Sequence, residues 1–203
     1  MSASKERLDL GDGAWLEWWP RFLAAAETPP LEDLVSELPL RADRFQIFGR
    51  SVPVPRLVAW LGDPGCRYRY SGQTYEPQPW TPHVARLRDT LRSRTGLDWN
   101  AALANYYRDG ADAQGWHSDD ERELGPAPPD DVAIASLSLG AERRFRMRRR
   151  DRGERHDWVL PHASLLVMRG ATQRYWQHCL PRTQRPVGPR LNLSFRVVIP
   201  ARA

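Results

Sequence analysis

Short apolar stretches bounded by proline or glycine occupy much of the second half of the chain, and they restrict the fold more than any other feature. Residues 132–139 and 164–168 are two such stretches, and between them charge alternates with Phe145 and Met147. A period of two is typical of β-strands, and many short strands separated by turn signals favour a sandwich or barrel. The sequence therefore predicts a mainly β fold with flanking helices.

The first 40 residues have a helical pattern of apolar side chains. Trp15, Trp19 and Leu23 fall at four-residue spacing, with further apolar residues between them, which predicts an amphipathic helix that ends at Pro29-Pro30. A further turn or two of helix is expected over residues 31–38. We therefore expect residues 1–40 to form an N-terminal helical extension.

A clearer helix is expected after a segment of short strands and turns over residues 43–80. Thr81 can cap this helix and Pro82 suits its first turn. Apolar residues at helical spacing predict its buried stripe, and Gly96 predicts its end. The stripe consists of Val84, Leu87 and Leu91.

The composition is that of one folded domain with a short extension. The chain has 203 residues, of which 41% are hydrophobic, so intrinsic disorder is not expected. The net charge of +5 is carried almost wholly by arginine, since Lys5 is the only lysine, and it favours polyanions weakly. Without a long apolar run or a signal peptide pattern, we expect a cytoplasmic protein with no membrane partner. The arginine-rich, lysine-poor composition favours a bacterial origin, and we expect a monomer.

A candidate metal site begins at His117 and Asp119. On a strand these side chains project from the same face, and His178 offers a second imidazole further along the chain. Two histidines and one carboxylate suit non-heme Fe(II), because they leave coordination positions open for a co-substrate and O₂. Other residues are also compatible with metal binding by composition alone, namely Asp120, Glu121, His156 and His162.

An independent signal lies near the end of the chain. Arg190, Asn192, Ser194 and Arg196 alternate with apolar residues, so a strand here has one apolar face and one face with two guanidiniums, an amide and a hydroxyl. An acid-free face of this kind predicts a site for a dicarboxylate, although a solvated edge strand is the alternative. Asn105 and Tyr107, also two residues apart, offer a second pair of polar groups.

At these residues the sequence resembles the AlkB family of 2-oxoglutarate-dependent nucleic-acid dealkylases, and within it the members that act on double-stranded DNA. The resemblance covers about residues 45–198. It is carried by Pro55-Arg56, Gly62-Asp63, Tyr68-Arg69-Tyr70-Ser71-Gly72, Asn105-Tyr106-Tyr107, and the segments 116–121, 134–140, 162–168 and 190–196.

The resemblance implies a double-stranded β-helix (jelly-roll) core and a dioxygenase domain over residues 41–203. It implies that Fe(II) is bound by His117, Asp119 and His178. It also implies that 2-oxoglutarate is held by Asn105, Tyr107, Arg190, Asn192, Ser194 and Arg196, with Arg190 or Arg196 at the distal carboxylate. The implied reaction removes alkyl groups from DNA bases, turning 2-oxoglutarate into succinate and CO₂ and releasing an aldehyde.

Five residues are expected near the substrate. Tyr68 and Tyr70 match family positions there, Phe48 lies in a segment that resembles the gap-filling hairpin of duplex-acting relatives, and the two acids follow the metal strand. Tyr68 and Tyr70 are expected to contact the target base, Asp120 and Glu121 to accept hydrogen bonds from its edge, and Phe48 to fill the gap left in the duplex. Ordinary strand aromatics, solvent-facing acids and a core phenylalanine are the respective alternatives.

Three functions are compatible with these features. The favoured one is a dealkylase of alkylated DNA, duplex rather than single strand, with lesions such as 1-methyladenine and 3-methylcytosine. The alternative is an Fe(II)/2-oxoglutarate hydroxylase that acts on RNA, protein or a small molecule. The third is a nucleic-acid-binding protein without catalysis. The presence of both a metal site and a dicarboxylate site argues against it, because a binding protein needs neither.

Overall fold

The strands of the computed structural model, which describes residues 4–47, 50–70, 73–124, 132–151 and 153–200, form two larger sheets and one hairpin. The strands are β1 (Glu6–Gly11), β2 (Ala14–Trp19), β3 (Arg41–Ile47), β4 (Arg50–Gly62), β5 (Tyr68–Tyr70), β6 (Gln73–Tyr75), β7 (Ala101–Tyr107), β8 (Gln114–His117), β9 (Ile134–Gly140), β10 (Arg143–Arg149), β11 (Arg155–Leu160), β12 (Ser164–Gly170), β13 (Trp176–Leu180) and β14 (Arg190–Arg196). The α-helices are α1 (Leu31–Glu37), α2 (Pro82–Thr95) and α3 (Thr172–Tyr175), and 3₁₀ turns occupy Ala25–Glu27 and Arg122–Leu124.

The large sheet has the strand order β1-β2-β12-β9-β14-β7-β4-β3, and the small sheet has the order β11-β10-β13-β8. β14 pairs antiparallel with both β7 and β9, so it lies inside the large sheet and is not a solvated edge. The two sheets face each other across a shared core, in agreement with the predicted jelly roll.

Two cores cover the two faces of the large sheet. One lies between the sheets, where Leu166 and Met168 of β12 pack near Phe145 and Met147 of β10. The other lies between the large sheet and the helices, and it includes Leu191, Leu193 and Phe195 of β14 with the predicted stripe of α2. The alternation in β14 therefore places its apolar residues against the helices and its polar residues toward the small sheet.

Helix α2 begins and ends as the sequence predicts, but its cap is different. Gly96 ends it with φ of 71°, a left-handed conformation that glycine adopts without strain. Thr81 caps no backbone group with its side chain; its Oγ1 instead donates to Glu37 Oε1 at 2.6 Å. Glu37 Oε1 also accepts from the backbone N–H of His83 at 3.0 Å. A carboxylate from α1 therefore satisfies the first turn of α2.

The prediction of a helix around Trp15 and Leu23 is wrong. The segment contains β2, which pairs with β1 on one side and with β12 on the other. Its aromatic residues suit a strand with both faces covered, and such a strand loses the strict alternation that separates a period of two from a helical period. Only α1 and one 3₁₀ turn are helical among the described residues up to 40. The division of the chain at residue 40 stays a prediction.

Within the described part of the chain, no helix has both the length and the apolar character required to span a membrane.

Candidate iron and co-substrate site

Three potential metal ligands meet where the small sheet faces the large one. His117 ends β8 and lies directly opposite His178 of β13, with ring centroids 4.1 Å apart. Asp119 follows two residues later, and its Oδ2 lies 3.6 Å from His178 Nε2. One ligand atom from each residue lies within 4.8 Å of the other two. The strand pairing thus brings together two residues that are far apart in the sequence.

The protonation states of the three residues suit a metal. His117 Nδ1 lies 2.9 Å from the carbonyl oxygen of Gly115, an arrangement that assigns its proton to Nδ1. Its Nε2 then accepts a hydrogen bond from Gln114 Nε2 at 3.0 Å, which a metal would have to replace. Burial lowers the pKa of His117, and burial together with neighbouring His117 lowers the pKa of His178 to about 3. Both imidazoles are therefore neutral at physiological pH.

Asp119 is held from two sides. Burial alone would raise its pKa, but the combined effect of Arg196, the two imidazoles and Arg56 outweighs burial, so the pKa of Asp119 lies below its usual value. Arg196 donates to Oδ1 at 2.6 Å, and the backbone N–H of Asp119 donates to Gln173 Oε1 at 2.9 Å. Two neutral imidazoles and one ionised carboxylate are a donor set that fits Fe(II).

The polar face of β14 lines the same pocket as the three metal-ligand candidates. Arg190 is 2% exposed, and its Nη2 donates to Ser138 Oγ and to Asn192 Oδ1, each at 2.9 Å. Asn192 in turn donates from Nδ2 to Ser194 Oγ at 2.8 Å. Asn105 and Tyr107 of β7 also line the pocket. All six residues predicted to hold 2-oxoglutarate therefore surround one space.

The two arginines of β14 differ in their partners. Arg196 is paired with Asp119. This carboxylate, together with Tyr68 and Glu121, keeps the pKa of the guanidinium raised against the opposing effect of burial. No carboxylate among the described residues pairs with Arg190, and burial lowers its pKa to about 10. The Nε of Arg190 is buried without a hydrogen-bond partner in the described part of the chain. Arg190 is thus the arginine left open to an acidic ligand.

The residues predicted to bind substrate differ in how deeply they are buried. Tyr68 is buried, stacks on Trp60 with centroids 4.5 Å apart, and donates to Glu121 Oε1 at 2.6 Å. The other oxygen of Glu121, Oε2, is buried and makes no hydrogen bond with the described residues. Asp120 points outward, half exposed, and pairs with Arg150 at 3.2 Å, so its position favours the solvent-facing alternative. Phe48 and the side chain of Tyr70 lie outside the described residues.

His156 and His162 do not join the metal site. His156 is paired with Glu154 on the surface, and exposed His162 accepts a hydrogen bond from the backbone of Gly140.

Several residues of the site were not predicted from the sequence. Ser136 lines the pocket, and Ser138 accepts a hydrogen bond from Arg190. Both interrupt the apolar run of β9 at a spacing of two, a signal that could have identified them. Gln173 and Arg56 carry no such signal, because their roles depend on contacts with residues far away in the sequence.

Comparison with known proteins agrees with this geometry. The family model of the 2OG-Fe(II) oxygenase superfamily matches residues 16–196. DNA oxidative demethylase ALKBH2 of Mus musculus is 43% identical over 167 residues, which cover 78% of this chain and 68% of that protein. The chain belongs to the AlkB family of 2OG-Fe(II) oxygenases. This AlkB-family oxygenase is also 40% identical over 180 residues to alpha-ketoglutarate-dependent dioxygenase alkB homolog 3 of Mus musculus, covering 84% of this chain and 61% of that one.

The fold of this AlkB-family oxygenase is similar to a solved structure. The structure of OsALKBH1 superposes with a TM-score of 0.61 at 16% identity, covering 94% of this chain and 99% of the other. As a member of the superfamily, the AlkB-family oxygenase is a dioxygenase that uses Fe(II) and 2-oxoglutarate, and its His-Asp-His group is able to bind the metal.

Proposed function

We propose that this oxygenase removes alkyl groups from the bases of DNA by oxidation, as a direct-reversal repair enzyme for lesions of the 1-methyladenine and 3-methylcytosine type. The reaction couples dealkylation to the conversion of 2-oxoglutarate into succinate and CO₂, with release of an aldehyde. The convergence of the metal-ligand group and the polar face of β14 in one pocket carries the oxidative part of the proposal. The similarity to DNA oxidative demethylase ALKBH2 supports DNA as the substrate.

In this proposal His117, Asp119 and His178 bind Fe(II). When bound, the metal and 2-oxoglutarate supply the oxidising chemistry that hydroxylates the alkyl carbon attached to the base nitrogen. The protein contributes two neutral imidazoles, which need lose no proton to bind the ion, and a carboxylate that Arg196 keeps ionised.

Arg190 binds the distal carboxylate of 2-oxoglutarate, because it is the buried guanidinium of β14 without an acidic partner among the described residues. Asn192 and Ser138 hold that guanidinium in place. Asn105, Tyr107 and Ser194 complete the binding site. Arg196 acts in the same pocket through Asp119.

The position of Glu121 supports the proposal that the target base carries an exocyclic amino group. Tyr68 occupies Oε1, whereas the buried Oε2 has no hydrogen-bond partner in the described structure and lies 3.9 Å from Arg196 Nη1. An amino group of adenine or cytosine can donate to such an oxygen. The buried position of the pocket requires that the target base leave the stack.

Duplex DNA is the favoured partner, and single strands are also compatible with the site. Phe48 would occupy the gap left by the flipped base, and Tyr70 would contact that base. A monomeric state and a cytoplasmic, bacterial setting stay predictions from the sequence.

One experiment tests the proposal. The protein is loaded anaerobically with Fe(II) and 2-oxoglutarate, and O₂ is then admitted with a duplex that carries 1-methyladenine. We expect formaldehyde, succinate and restored base pairing. Turnover of 2-oxoglutarate without repair of any methylated duplex or single strand would instead support a hydroxylase for RNA, protein or a small molecule. A protein that binds no iron and turns over no 2-oxoglutarate would support a binding module.

A further inference from the structure

Arg56 of β4 is a buried arginine that contacts Asn105, a residue of the co-substrate pocket. Its side chain lies on the same face of the large sheet as that of Asn105, on the neighbouring strand β7, where Val58 is the direct partner of Asn105. Arg56 is 4% exposed, and its Nε donates to Asn105 Oδ1 at 2.7 Å. The contact joins residues 49 positions apart.

This hydrogen bond determines which end of the Asn105 amide faces the pocket. A guanidinium has only donors, so it pairs with the oxygen of an amide and never with its nitrogen. With Oδ1 held by Arg56, the NH₂ group of Asn105 is left as a donor, and no hydrogen-bond partner for it exists among the described residues. Asn105 lies directly opposite Asn192 of β14, beside the site proposed for 2-oxoglutarate.

The guanidinium of Arg56 forms no ion pair within the described part of the chain, and its electrostatic effect on an acid is to help lower the pKa of Asp119. Its hydrogen bond is to a neutral amide. A buried guanidinium that is not directly paired with a carboxylate is stabilised when a ligand brings further negative charge close to it. A dicarboxylate next to Asn105 would supply two such charges.

We infer that Arg56 is a positioning residue for 2-oxoglutarate, which holds the Asn105 amide as a hydrogen-bond donor to an oxygen of the co-substrate. Without Arg56, the amide can rotate and present Oδ1 to an oxygen of the ligand, which is repulsive. The inference rests on the proposed placement of Asn105 in the 2-oxoglutarate site.

The test is an equilibrium measurement. Binding of 2-oxoglutarate to the Mn(II)-loaded full-length protein is titrated calorimetrically, so that no turnover is required. Arg56→Leu is expected to weaken binding about 10- to 100-fold. This change in affinity corresponds to the free energy of one hydrogen bond to a charged group. Arg56→Lys keeps a donor and should recover most of the affinity. Arg41→Leu is the matched control, since Arg41 lines the same neighbouring pocket as Arg56 but donates to Asp43 and not to Asn105.

A double-mutant cycle separates a role through Asn105 from a general structural effect. If Arg56 acts through Asn105, Arg56→Leu should add little to the loss caused by Asn105→Ala. Asn105→Asp provides a variant that retains Arg56 and its partner oxygen but replaces the donor by an acceptor. It should bind 2-oxoglutarate less tightly than Asn105→Ala does.

The outcomes separate the role of Arg56 from the placement of Asn105 in the co-substrate site. If Asn105→Ala leaves the affinity for 2-oxoglutarate unchanged, the placement of Asn105 in the co-substrate site is wrong. If Asn105→Ala weakens binding but Arg56→Leu does not, or the two losses simply add, only the role of Arg56 is overturned. Wild-type affinity in Asn105→Asp would contradict the donor role even if Arg56→Leu failed to fold.

Discussion

Arg196 Nη2 donates a hydrogen bond of 2.6 Å to Asp119 Oδ1, and both side chains are buried. The other carboxylate oxygen, Oδ2, faces His178 at 3.6 Å. One oxygen of Asp119 is thus bound by a permanent cation while the other is directed at the second imidazole. This division keeps the acid ionised without using the atom that a metal needs.

Arg196→Met should therefore destabilise the protein. Removing one partner of a buried ion pair leaves the other charge uncompensated, which costs about 3–5 kcal/mol. The free energy of unfolding of the metal-free protein, measured in urea, checks this. Arg150→Met, which breaks the exposed pair with Asp120, is the control and should cost less than about 1 kcal/mol. Equal effects of the two substitutions would contradict the special role of Arg196.

His117→Ala and Asp119→Ala should each abolish turnover of 2-oxoglutarate, because each removes a proposed ligand of Fe(II). The measurements are succinate formation and calorimetric binding of Mn(II). Asp120→Ala is the matched control, since it removes the adjacent carboxylate, which points to solvent. Wild-type rates in both ligand variants would mean that the metal site is misassigned.

Arg190→Leu should remove the preference for a diacid. The wild-type protein is expected to bind 2-oxoglutarate about 10- to 100-fold more tightly than 2-oxopentanoate, which has the same chain length but no distal carboxylate. In Arg190→Leu this ratio should fall toward one, because the charge that recognises the second carboxylate is absent. Competitive titrations of the Mn(II)-loaded protein measure the ratio. An unchanged ratio would exclude Arg190 from the distal position.

Glu37→Gln should destabilise the protein at neutral pH by about 1–2 kcal/mol. Burial opposes the shift, but hydrogen bonds from Thr81 and His83 outweigh it and lower the pKa of Glu37 below the usual 4.5. The stabilisation is therefore complete above pH 4.5 and is lost as the pH falls through the lowered pKa. Urea unfolding of both proteins at several pH values measures this difference. Glu32→Gln, on an exposed position of α1, should show no such dependence.

Phe48→Ala should impair repair of duplex DNA more than repair of single strands. Only the duplex contains a gap that must be filled when a base leaves the stack. Rates of 1-methyladenine removal from matched single- and double-stranded oligonucleotides give the comparison. Equal losses on both substrates would favour the interpretation of Phe48 as a core residue.

Features with a strong local period could be read from the sequence. The alternation in β14 identified its polar and apolar faces, and the stripe and glycine of α2 identified that helix, because the side-chain spacing of each element is set by its backbone geometry. The two-residue spacing of His117 and Asp119 was a weaker signal of this kind, because β8 ends at His117 and Asp119 follows outside the strand. Strand β2 lacks a clear alternation, because both of its faces carry bulky apolar side chains and none of its six residues is fully exposed.

The amino-acid sequence by itself determined which residue types were available for the site and which faces of their strands they occupy. Only the tertiary structure decided that Arg196 pairs with Asp119 while Arg190 stays open, that Glu121 faces inward and Asp120 outward, and that Arg56 orients Asn105. The physical reason is that strand periodicity is a local property. The partner of a buried charge depends on strand order and register, which join residues far apart in the chain.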